Sequence, residues 1–568
     1  MRLYLINPSN PLVSILNVSQ SRWNRYRVWK PLSLMVLAGL TPPDWNIALV
    51  DENLGLPDYQ SMPRPHLVGI TAFTSQANRA YQVAAHFRNL GVPVVMGGIH
   101  ATMCLDEVME RVDSVVTGEA EDIWGQILDD ARHGHLKRLY EGGHADINHF
   151  VPGRHDLLSG RYAFGAIQTT RGCPLNCNFC SVTTFNGAQY RQRPVADVVR
   201  EFKAIPEKRV LVVDDNLIGT RPEHVGRAKE LFRALAGANL HKQWIAQATI
   251  NFADDEELLA LAAKAGCRGV FIGFETPTPE GLRELGKKFN LTKGRDFPAS
   301  VRRIQRHRIL VVGSFIIGLD VDQPGIGQRV AEVAGQYGVD TLNTLFLTPL
   351  PGTRLWDQMK SEERIALDMF PEDWRYYTLT FPVARYKHFS REDIIQEMIS
   401  CNQSFYSLPR ILRRVWCSFQ EGSHPLLSLV GNLSYRNNSR VDCRTYAEFE
   451  RQRRHLHSIE PMEAPGTGQK ETAAQCRFQP VDQRSGRSKA KPSVSLVTMK
   501  TNEMKKRAVD VPLIRPAAEP VAPVASEDLS RFEGEGGSEA PVSATELIDV
   551  PLENAIWRRP RSAARQTH

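Results

Sequence analysis

Three cysteines lie on one short stretch of the chain, TTRGCPLNCNFC, residues 169–180. Cys173, Cys177 and Cys180 have the spacing C-x3-C-x2-C and directly follow an apolar segment that predicts a β-strand. Three thiolates on one tight loop can converge on one metal centre. A structural zinc ion normally has a fourth Cys or His ligand, and no histidine is paired with this loop by spacing. Iron–sulfur clusters with four irons usually have four cysteine ligands, so three would leave one iron open. A structural zinc site remains the alternative.

Composition favours a reducing environment for these thiols. The chain has 568 residues and nine cysteines, far too few for a disulfide scaffold. The N-terminus lacks the pattern of a secretion signal, and no stretch has the ~20 apolar residues of a membrane helix. The formal net charge of +7 is too diffuse to indicate nucleic acid binding. We therefore expect a cytoplasmic protein of several domains without a transmembrane segment.

The elements that position the loop form two α/β series. Apolar β-branched segments alternate with helical patterns over residues 1–150, which predicts a doubly wound, Rossmann-like parallel sheet. Six further strands with intervening helices over 160–385 predict a partial (β/α) barrel, whose active site would lie at the carboxyl ends of its strands. Residues 386–450 are expected to form a helical C-terminal extension. Residues 451–568 contain three aromatic residues and are rich in Pro, Ala and Ser, which predicts a disordered tail.

The cysteine loop, with Phe179 just before the last cysteine, resembles the cluster motif of the radical S-adenosylmethionine (SAM) superfamily. The resemblance covers roughly residues 160–385. It implies that Cys173, Cys177 and Cys180 hold a [4Fe-4S] cluster whose fourth iron binds SAM. It also implies a low-potential electron donor, whose electron cleaves SAM to methionine and a 5′-deoxyadenosyl radical. In such enzymes the cofactor carries the hard chemistry, and the protein supplies positioning and protection.

The same resemblance implies SAM contacts at other strand ends. Asp214, Asp215 and Asn216 stand where the family often has Gly-Gly-Glu, and they resemble the Asp-Asp-Asn form of its cobalamin-associated branch. The alternative is that the two aspartates cap the following helix. Thr348–Thr353 (TPLPGT) resembles a late-barrel motif of that branch. The other residues expected near SAM are Phe179, Gln247, Gly273, Glu275, Gly313 and Gly318.

The first 150 residues resemble the cobalamin-binding domain attached to one class of these enzymes. The resemblance rests on ITAFT (70–74), MGGIHAT (96–102) and VVTGEAE (115–121). The Asp-x-His-x-x-Gly motif, which supplies a lower histidine ligand in other cobalamin proteins, is absent, so His100 is expected to cap or orient its loop. The alternative is a nucleotide-type fold without the cofactor. The expected cobalamin contacts are Thr74, Gly97, Gly98, His100, Thr117, Gly118 and Glu119.

Taken together, the resemblance implies a cobalamin-dependent radical SAM methyltransferase that acts on an unactivated carbon of a small molecule or lipid. Redox or rearrangement chemistry with the same cofactors is the second hypothesis, since the anaerobic Mg-protoporphyrin monomethyl ester oxidative cyclase belongs to this branch. A non-catalytic iron–sulfur or cobalamin sensor is the third.

A basic amphipathic pattern spans residues 405–419, where apolar residues recur at helical spacing with arginines largely off that stripe. It predicts a helix packed on the barrel. A helix that lies peripherally on a membrane is the alternative.

Overall fold

The computed structural model describes residues 1–10, 12, 29–158, 162–291, 295–420 and 424–459. All of them belong to one compact unit, Met1–Ala474.

The first sheet has six parallel strands in the order β2-β1-β3-β4-β5-β6. Alternate residues of β1 enter two separate cores: Leu3 and Leu5 pack on one face, Tyr4 and Ile6 on the other. Both faces are covered by helices, which explains why these strands are apolar throughout. The predicted doubly wound arrangement is confirmed. The strands are β1 (Arg2–Asn7), β2 (Asn46–Asp51), β3 (Leu67–Thr71), β4 (Val94–Gly97), β5 (Ser114–Thr117) and β6 (Leu139–Glu141). The helices are α1 (Leu32–Leu40), α2 (Ala77–Asn89), α3 (Ile99–Met103), α4 (Leu105–Arg111) and α5 (Trp124–His133).

The second sheet also has six parallel strands, in the order β14-β13-β12-β11-β10-β7. Its first and last strands are not paired with each other, so the barrel is partial, as predicted. Its strands are β7 (Gly165–Ile167), β10 (Arg209–Val212), β11 (Gln243–Ala248), β12 (Cys267–Glu275), β13 (Leu310–Ile317) and β14 (Thr341–Phe346). A separate antiparallel pair is formed by β8 (Thr170–Arg171) and β9 (Arg191–Gln192).

Helices follow the barrel strands, and four of them, α9, α10, α11 and α13, begin at a side-chain cap. Asp255 accepts a hydrogen bond from the Leu258 amide at the start of α9, which satisfies one of the amides a helix leaves free. The barrel helices are α6 (Ser181–Asn186), α7 (Val195–Ala204), α8 (Pro222–Gly237), α9 (Glu256–Lys264), α10 (Pro279–Glu284), α11 (Phe297–Arg306), α12 (Ile326–Tyr337) and α13 (Arg354–Ser361).

Three helices close the described chain: α14 (Arg391–Phe405), α15 (Leu408–Gln420) and α16 (Pro425–Ile459). The helical extension is thus observed, and residues 451–459 continue α16. The rest of the predicted tail lies outside the described residues. Helix α15 packs through Ile411, but the other apolar residues of its stripe are largely exposed. In the described part of the chain, no helix combines the length and apolar character needed to cross a membrane.

Candidate active site

The cysteine loop begins where β8 ends and runs into α6. Gly172 opens it with φ +87°, and a Cβ there would lie 2.2 Å from the Gln189 carbonyl oxygen. Only glycine suits such a position, because other residues rarely adopt this backbone conformation and the space is filled. Asn176, between the first two cysteines, also has a positive φ, 46°. These two residues allow the tight turns of the loop that carries the three cysteines.

Helices that follow two other strands, α10 and α13, hold the cysteine loop in place. After β12, the carbonyl oxygen of Glu284 accepts a hydrogen bond from Asn178 Nδ2 at 2.7 Å. After β14, Arg354 donates to the Asn176 carbonyl at 2.6 Å, and the Leu355 amide donates to the Asn178 carbonyl at 3.0 Å. The conformation of the loop is therefore set by the carboxyl end of the barrel.

The three thiols are electrostatic neighbours. Burial, with a smaller contribution from the neighbouring thiols, raises the pKa of Cys177 to about 11 and that of Cys180 to about 12. Burial also raises the pKa of Cys173. No three His, Cys, Asp or Glu side chains of the described residues are grouped to hold a single metal ion. Binding of any metal centre to these thiols must release protons, since the thiolate is the ligand.

A buried cation lies beside the thiols. Lys287 Nζ is 2.6 Å from Glu275 Oε1, and both residues are buried. Burial opposes the charge on Lys287, but Glu275, Cys177 and Cys173 outweigh it, so the lysine pKa is raised. Sequence reasoning missed Lys287. Its neighbour Lys288 is exposed, and nothing in the sequence distinguishes the two.

Glu275, which pairs with Lys287, has an unusual backbone conformation. It ends β12 with φ +70°, at a register shift against β13. A Cβ on Gly273 would lie 2.2 Å from Glu275 Oε1, so glycine leaves the room that the carboxylate occupies. Residues held in sparsely populated conformations persist when their surroundings require them, and they cluster at functional sites.

The two aspartates of the Asp-Asp-Asn stretch support the cysteine loop. Asp214 accepts from the Thr169 amide and hydroxyl, both at 2.5 Å, and burial raises its pKa to about 6. Asp215 accepts from the Gly172 amide and Asn186 Nδ2, both at 2.9 Å. Neither caps a helix, because α8 begins only at Pro222 without a side-chain cap, so that alternative is wrong.

Asn216 is different from its two neighbours. Its Nδ2 is buried and has no hydrogen-bond partner among the protein atoms. Its amide lies close enough to Cys173 to lower the pKa of that thiol against the larger effect of burial. Asn216 is therefore the member of this stretch with a donor to spare for a ligand near the cysteines.

The face of the barrel sheet that carries no helices is only partly filled. Gln247 on β11 is exposed although its strand is central, and its register neighbour Phe271 is half-buried. Ser314 and Asn343 continue the same face on β13 and β14. Closed barrels fill this face with side chains. Here the exposed Gln247 and the half-buried Ser314 and Asn343 leave polar groups accessible on this face.

The remaining residues expected near SAM contribute mainly to the shape of the barrel end. Phe179 packs against the core beside the loop. Gly318 has φ +96°, and a Cβ there would lie 2.6 Å from the ring of Tyr386. Gly352, in the TPLPGT stretch, accepts a hydrogen bond from Thr184 of α6 at 3.1 Å. A Cβ on Gly352 would lie 2.4 Å from the sulfur of Met103 in the first domain.

The carboxyl edge of the first sheet carries small residues after β3, β4 and β5. Gly98 has φ +90°, and a Cβ there would lie 2.5 Å from Thr71 Oγ1. Gly118 has φ +67° and packs against Gly143 in the same way. The chain's own path therefore explains both glycines, without a ligand. Gly97 and Thr117 are half-buried, Thr74 is buried, and Phe73 stands 68% exposed at this edge.

His100 and Glu119 are both engaged within the protein. His100 is completely buried, and its Nε2 is 2.9 Å from the Tyr81 hydroxyl. Glu119 forms ion pairs with Arg171 of β8, at 2.5 Å, and with Arg191 of β9. Burial opposes the charge of Glu119, but the two arginines outweigh it and lower the pKa of the carboxyl. Because β8 and β9 flank the cysteine loop, Glu119 joins the edge of the first sheet to that loop.

Comparison with known proteins agrees with this geometry. Residues 167–324 match the model of the radical SAM superfamily. The chain is 28% identical to the bacteriochlorophyllide d C-12(1)-methyltransferase of Chlorobaculum tepidum, over 68% of this chain and 84% of that protein. It is 27% identical to the hopanoid C-2 methylase of Rhodopseudomonas palustris, over 60% of this chain and 66% of that one.

Two solved structures share the fold. The radical SAM methyltransferase TsrM from Kitasatospora setae, with cobalamin and a [4Fe-4S] cluster bound, superposes with a TM-score of 0.50 at 18% identity, covering 64% of this chain and 75% of that one. The cobalamin-dependent SAM radical enzyme OxsB, with aqua-cobalamin bound, gives 0.52 at 14% identity, covering 75% and 72%.

Residues 167–324 form a radical SAM domain, and the similarity to named methyltransferases supports an enzyme. Its class uses a [4Fe-4S] cluster and SAM. The described residues fit both groups. Three neighbouring thiols are present on one loop, and Asn216 offers an unpartnered buried donor next to one of them. Lys287 adds a buried positive charge close to thiols that become anionic when they bind iron.

Proposed function

We propose that this chain is a cobalamin-dependent radical SAM methyltransferase that acts on an unactivated carbon of a small-molecule or lipid substrate. One observation carries the proposal: the ion pairs of Glu119 with Arg171 and Arg191 join the carboxyl edge of the first sheet to the strands that flank the cysteine loop. A cofactor on that edge and a cluster on that loop would then work on one substrate between them.

Each protein group has a definite task in this proposal. Cys173, Cys177 and Cys180 hold the cluster, and Asp214 and Asp215 keep their loop in position. Lys287 offsets the negative charge of the thiolates. Asn216 and Gln247 offer polar contacts to SAM. When bound, the cluster, SAM and cobalamin supply the radical and methyl-transfer chemistry, and the protein orients them.

The first sheet suits cobalamin by the shape of its edge. The side chains at this edge are small, so a large planar group can approach the backbone of Gly97, Gly98, Thr117 and Gly118. Ligands of such sheets bind beyond the carboxyl ends of the strands. Phe73 offers an exposed ring at the same edge. His100 is buried against Tyr81, so we assign it to the support of this edge.

Two features support the substrate class and the setting. The relatives named above are a bacteriochlorophyllide methyltransferase and a hopanoid methylase, and both names describe large apolar substrates. None of the eight described cysteines forms a disulfide, which suits a reducing compartment, and we place the protein in the cytoplasm with a low-potential electron donor.

The test is product analysis with anaerobically reconstituted protein, cobalamin, reductant, labelled SAM and candidate apolar substrates. We expect 5′-deoxyadenosine together with S-adenosylhomocysteine and a labelled methylated product. Substrate turnover with 5′-deoxyadenosine alone would show redox or rearrangement chemistry and overturn the methyl-transfer proposal. A protein that holds its full cluster and never cleaves SAM would point to a sensor instead.

A further inference from the structure

One face of α15 carries large apolar side chains that the described protein does not cover. Leu408, Leu412, Trp416 and Phe419 are 56%, 63%, 60% and 63% exposed. Their spacing of four, four and three residues places them on one stripe of the helix. The rings of Trp416 and Phe419 lie side by side, with centroids 5.8 Å apart. Contiguous exposed apolar patches of this kind mark interaction sites.

The opposite face of α15 fixes the orientation of this stripe. Ile411 is 1% exposed and anchors the helix in the core. The guanidinium of Arg414 lies 3.9 Å from the centre of the Phe405 ring and donates to Asn432 Oδ1 at 2.6 Å. Asn432, on α16, donates in turn to the Asp340 carbonyl at 3.0 Å. Because buried contacts hold one face, the apolar stripe points away from the protein.

The sequence around the stripe is mainly basic. Residues 406–441 contain five arginines and a single acidic residue, Glu421. Arg413 is exposed and borders the stripe, because it lies three residues before Trp416 on the helix. A long arginine side chain can keep its charge among head groups while neighbouring apolar residues enter the layer below.

The stripe lies at the end of the barrel opposite the cysteine loop. Asp340, to which Asn432 bonds, directly precedes β14, so this contact marks the amino ends of the strands. The cysteine loop lies at their carboxyl ends. A surface that occupied the stripe would therefore leave access to the candidate active site open.

We infer that α15 docks the protein on an anionic lipid surface, with Leu408, Leu412, Trp416 and Phe419 in the interface and Arg413 among the head groups. A basic amphipathic helix with Trp, Phe and Leu on its apolar face has the composition of an interfacial helix. A second copy of the chain fits less well, because a symmetric contact would bring the Arg413 side chains of both copies together. The inference does not depend on the proposed function.

The test is flotation of the full-length protein with vesicles of phosphatidylcholine alone or with about a third phosphatidylglycerol. We expect at least about tenfold more protein on the anionic vesicles and a steep decrease at about 1 M salt. The double variant Leu412→Glu/Trp416→Glu should lose at least about tenfold of this binding, because two apolar contacts are replaced by charges. Arg413→Gln should lose about fivefold, the effect of one basic residue near such a surface.

The matched control is Leu56→Glu/Leu90→Glu, which places two charges at exposed leucines of the first domain and should bind like the wild type. SAM cleavage in solution should be unchanged in the α15 variants, which separates this result from the proposed function. Equal binding to both kinds of vesicle, or none, would overturn the inference. So would a wild-type dimer that the double variant converts to a monomer without any vesicle binding, since a second copy would then occupy the stripe.

Discussion

The two sheets of this protein end in edges of opposite character. At the carboxyl end of the barrel, charged side chains are buried or half-buried and paired: Asp214 and Asp215 accept hydrogen bonds from backbone amides, and Glu275 pairs with Lys287. At the edge of the first sheet, glycines and threonines predominate after β3, β4 and β5, and the buried carboxylate of Glu119 turns toward the barrel. The barrel edge holds the polar atoms of these side chains in fixed positions. The edge of the first sheet has short side chains, so its backbone is accessible.

This difference corresponds to the chemistry that each edge would serve. A cluster and SAM require ligands and charges at defined distances, and the buried polar contacts of the barrel hold the cysteine loop in one conformation. A large planar group is held by area and shape, and it needs backbone that it can approach. Substitutions should therefore act on the two edges by different routes.

The largest expected effect is at the loop itself. Cys177→Ala should reduce 5′-deoxyadenosine formation below detection, because one iron of the cluster loses its thiolate. Iron content and product are measured on the same anaerobic sample. Cys417→Ala, at an exposed cysteine of α15, is the control and should retain both. Normal cleavage by a Cys177→Ala protein with a full cluster would remove this residue from the ligand set.

Next comes the buried pair beside the loop. Lys287→Met leaves the Glu275 carboxylate buried without its partner, which should lower the free energy of unfolding of the apoprotein by about 3–5 kcal/mol. The measurement is denaturant unfolding. Lys288→Met is the matched control, since that neighbour is exposed and should change the free energy by less than ~0.5 kcal/mol.

A second variant distinguishes loss of charge pairing from loss of packing. Adding Glu275→Gln to Lys287→Met removes the unpaired carboxylate and should restore part of the lost stability. If the double variant is no more stable than Lys287→Met alone, the packing of the lysine stem, and not its charge, is what the barrel edge requires.

Regular elements were predictable because their signals are local. All six barrel strands, and five of the six strands of the first sheet, follow from apolar β-branched segments between turn residues. The short strand β6, Leu139–Glu141, was missed because three residues carry little periodicity. The cysteine loop was also predictable, because its three cysteines lie within twelve residues of sequence and are therefore on the same loop in the fold.

Contacts between distant segments were not predictable. Asp215 is predicted from the sequence as a SAM contact, and the structure adds a bond that the sequence does not reveal, to the Gly172 amide 43 residues away. Glu119 is predicted as a cofactor contact, and the structure adds its ion pairs with Arg171 and Arg191. The apolar stripe of α15 predicted a packed helix, and only the tertiary structure shows that Ile411 packs while Trp416 does not. In each case the partner of a side chain decides its role.

The link between the two edges should show a smaller and pH-dependent effect. Glu119→Gln should lower the free energy of unfolding by about 1–3 kcal/mol at pH 7, because two arginines lose a buried charged acceptor. The lowered pKa of Glu119 means that its stabilising effect is complete above the unfolded value of about 4.3 and is lost as the pH falls through the folded value. The difference between wild type and variant should therefore shrink below about pH 4. A difference that is constant with pH would show that the carboxylate charge contributes nothing.

The smallest expected effect tests whether the first edge depends on backbone shape. Gly98→Ala places a Cβ on a residue with φ +90°, which should lower the free energy of unfolding by about 1–2 kcal/mol. Gly125→Ala is the control, because nothing lies within 4 Å of its Cβ on helix α5, and it should stabilise by about 0.5–1 kcal/mol. Cobalamin binding, followed by its absorbance, should weaken in Gly98→Ala and stay unchanged in Gly125→Ala. Equal cobalamin affinity in both would mean that the cofactor does not use this edge, and the contrast between the two sheets would then concern stability alone.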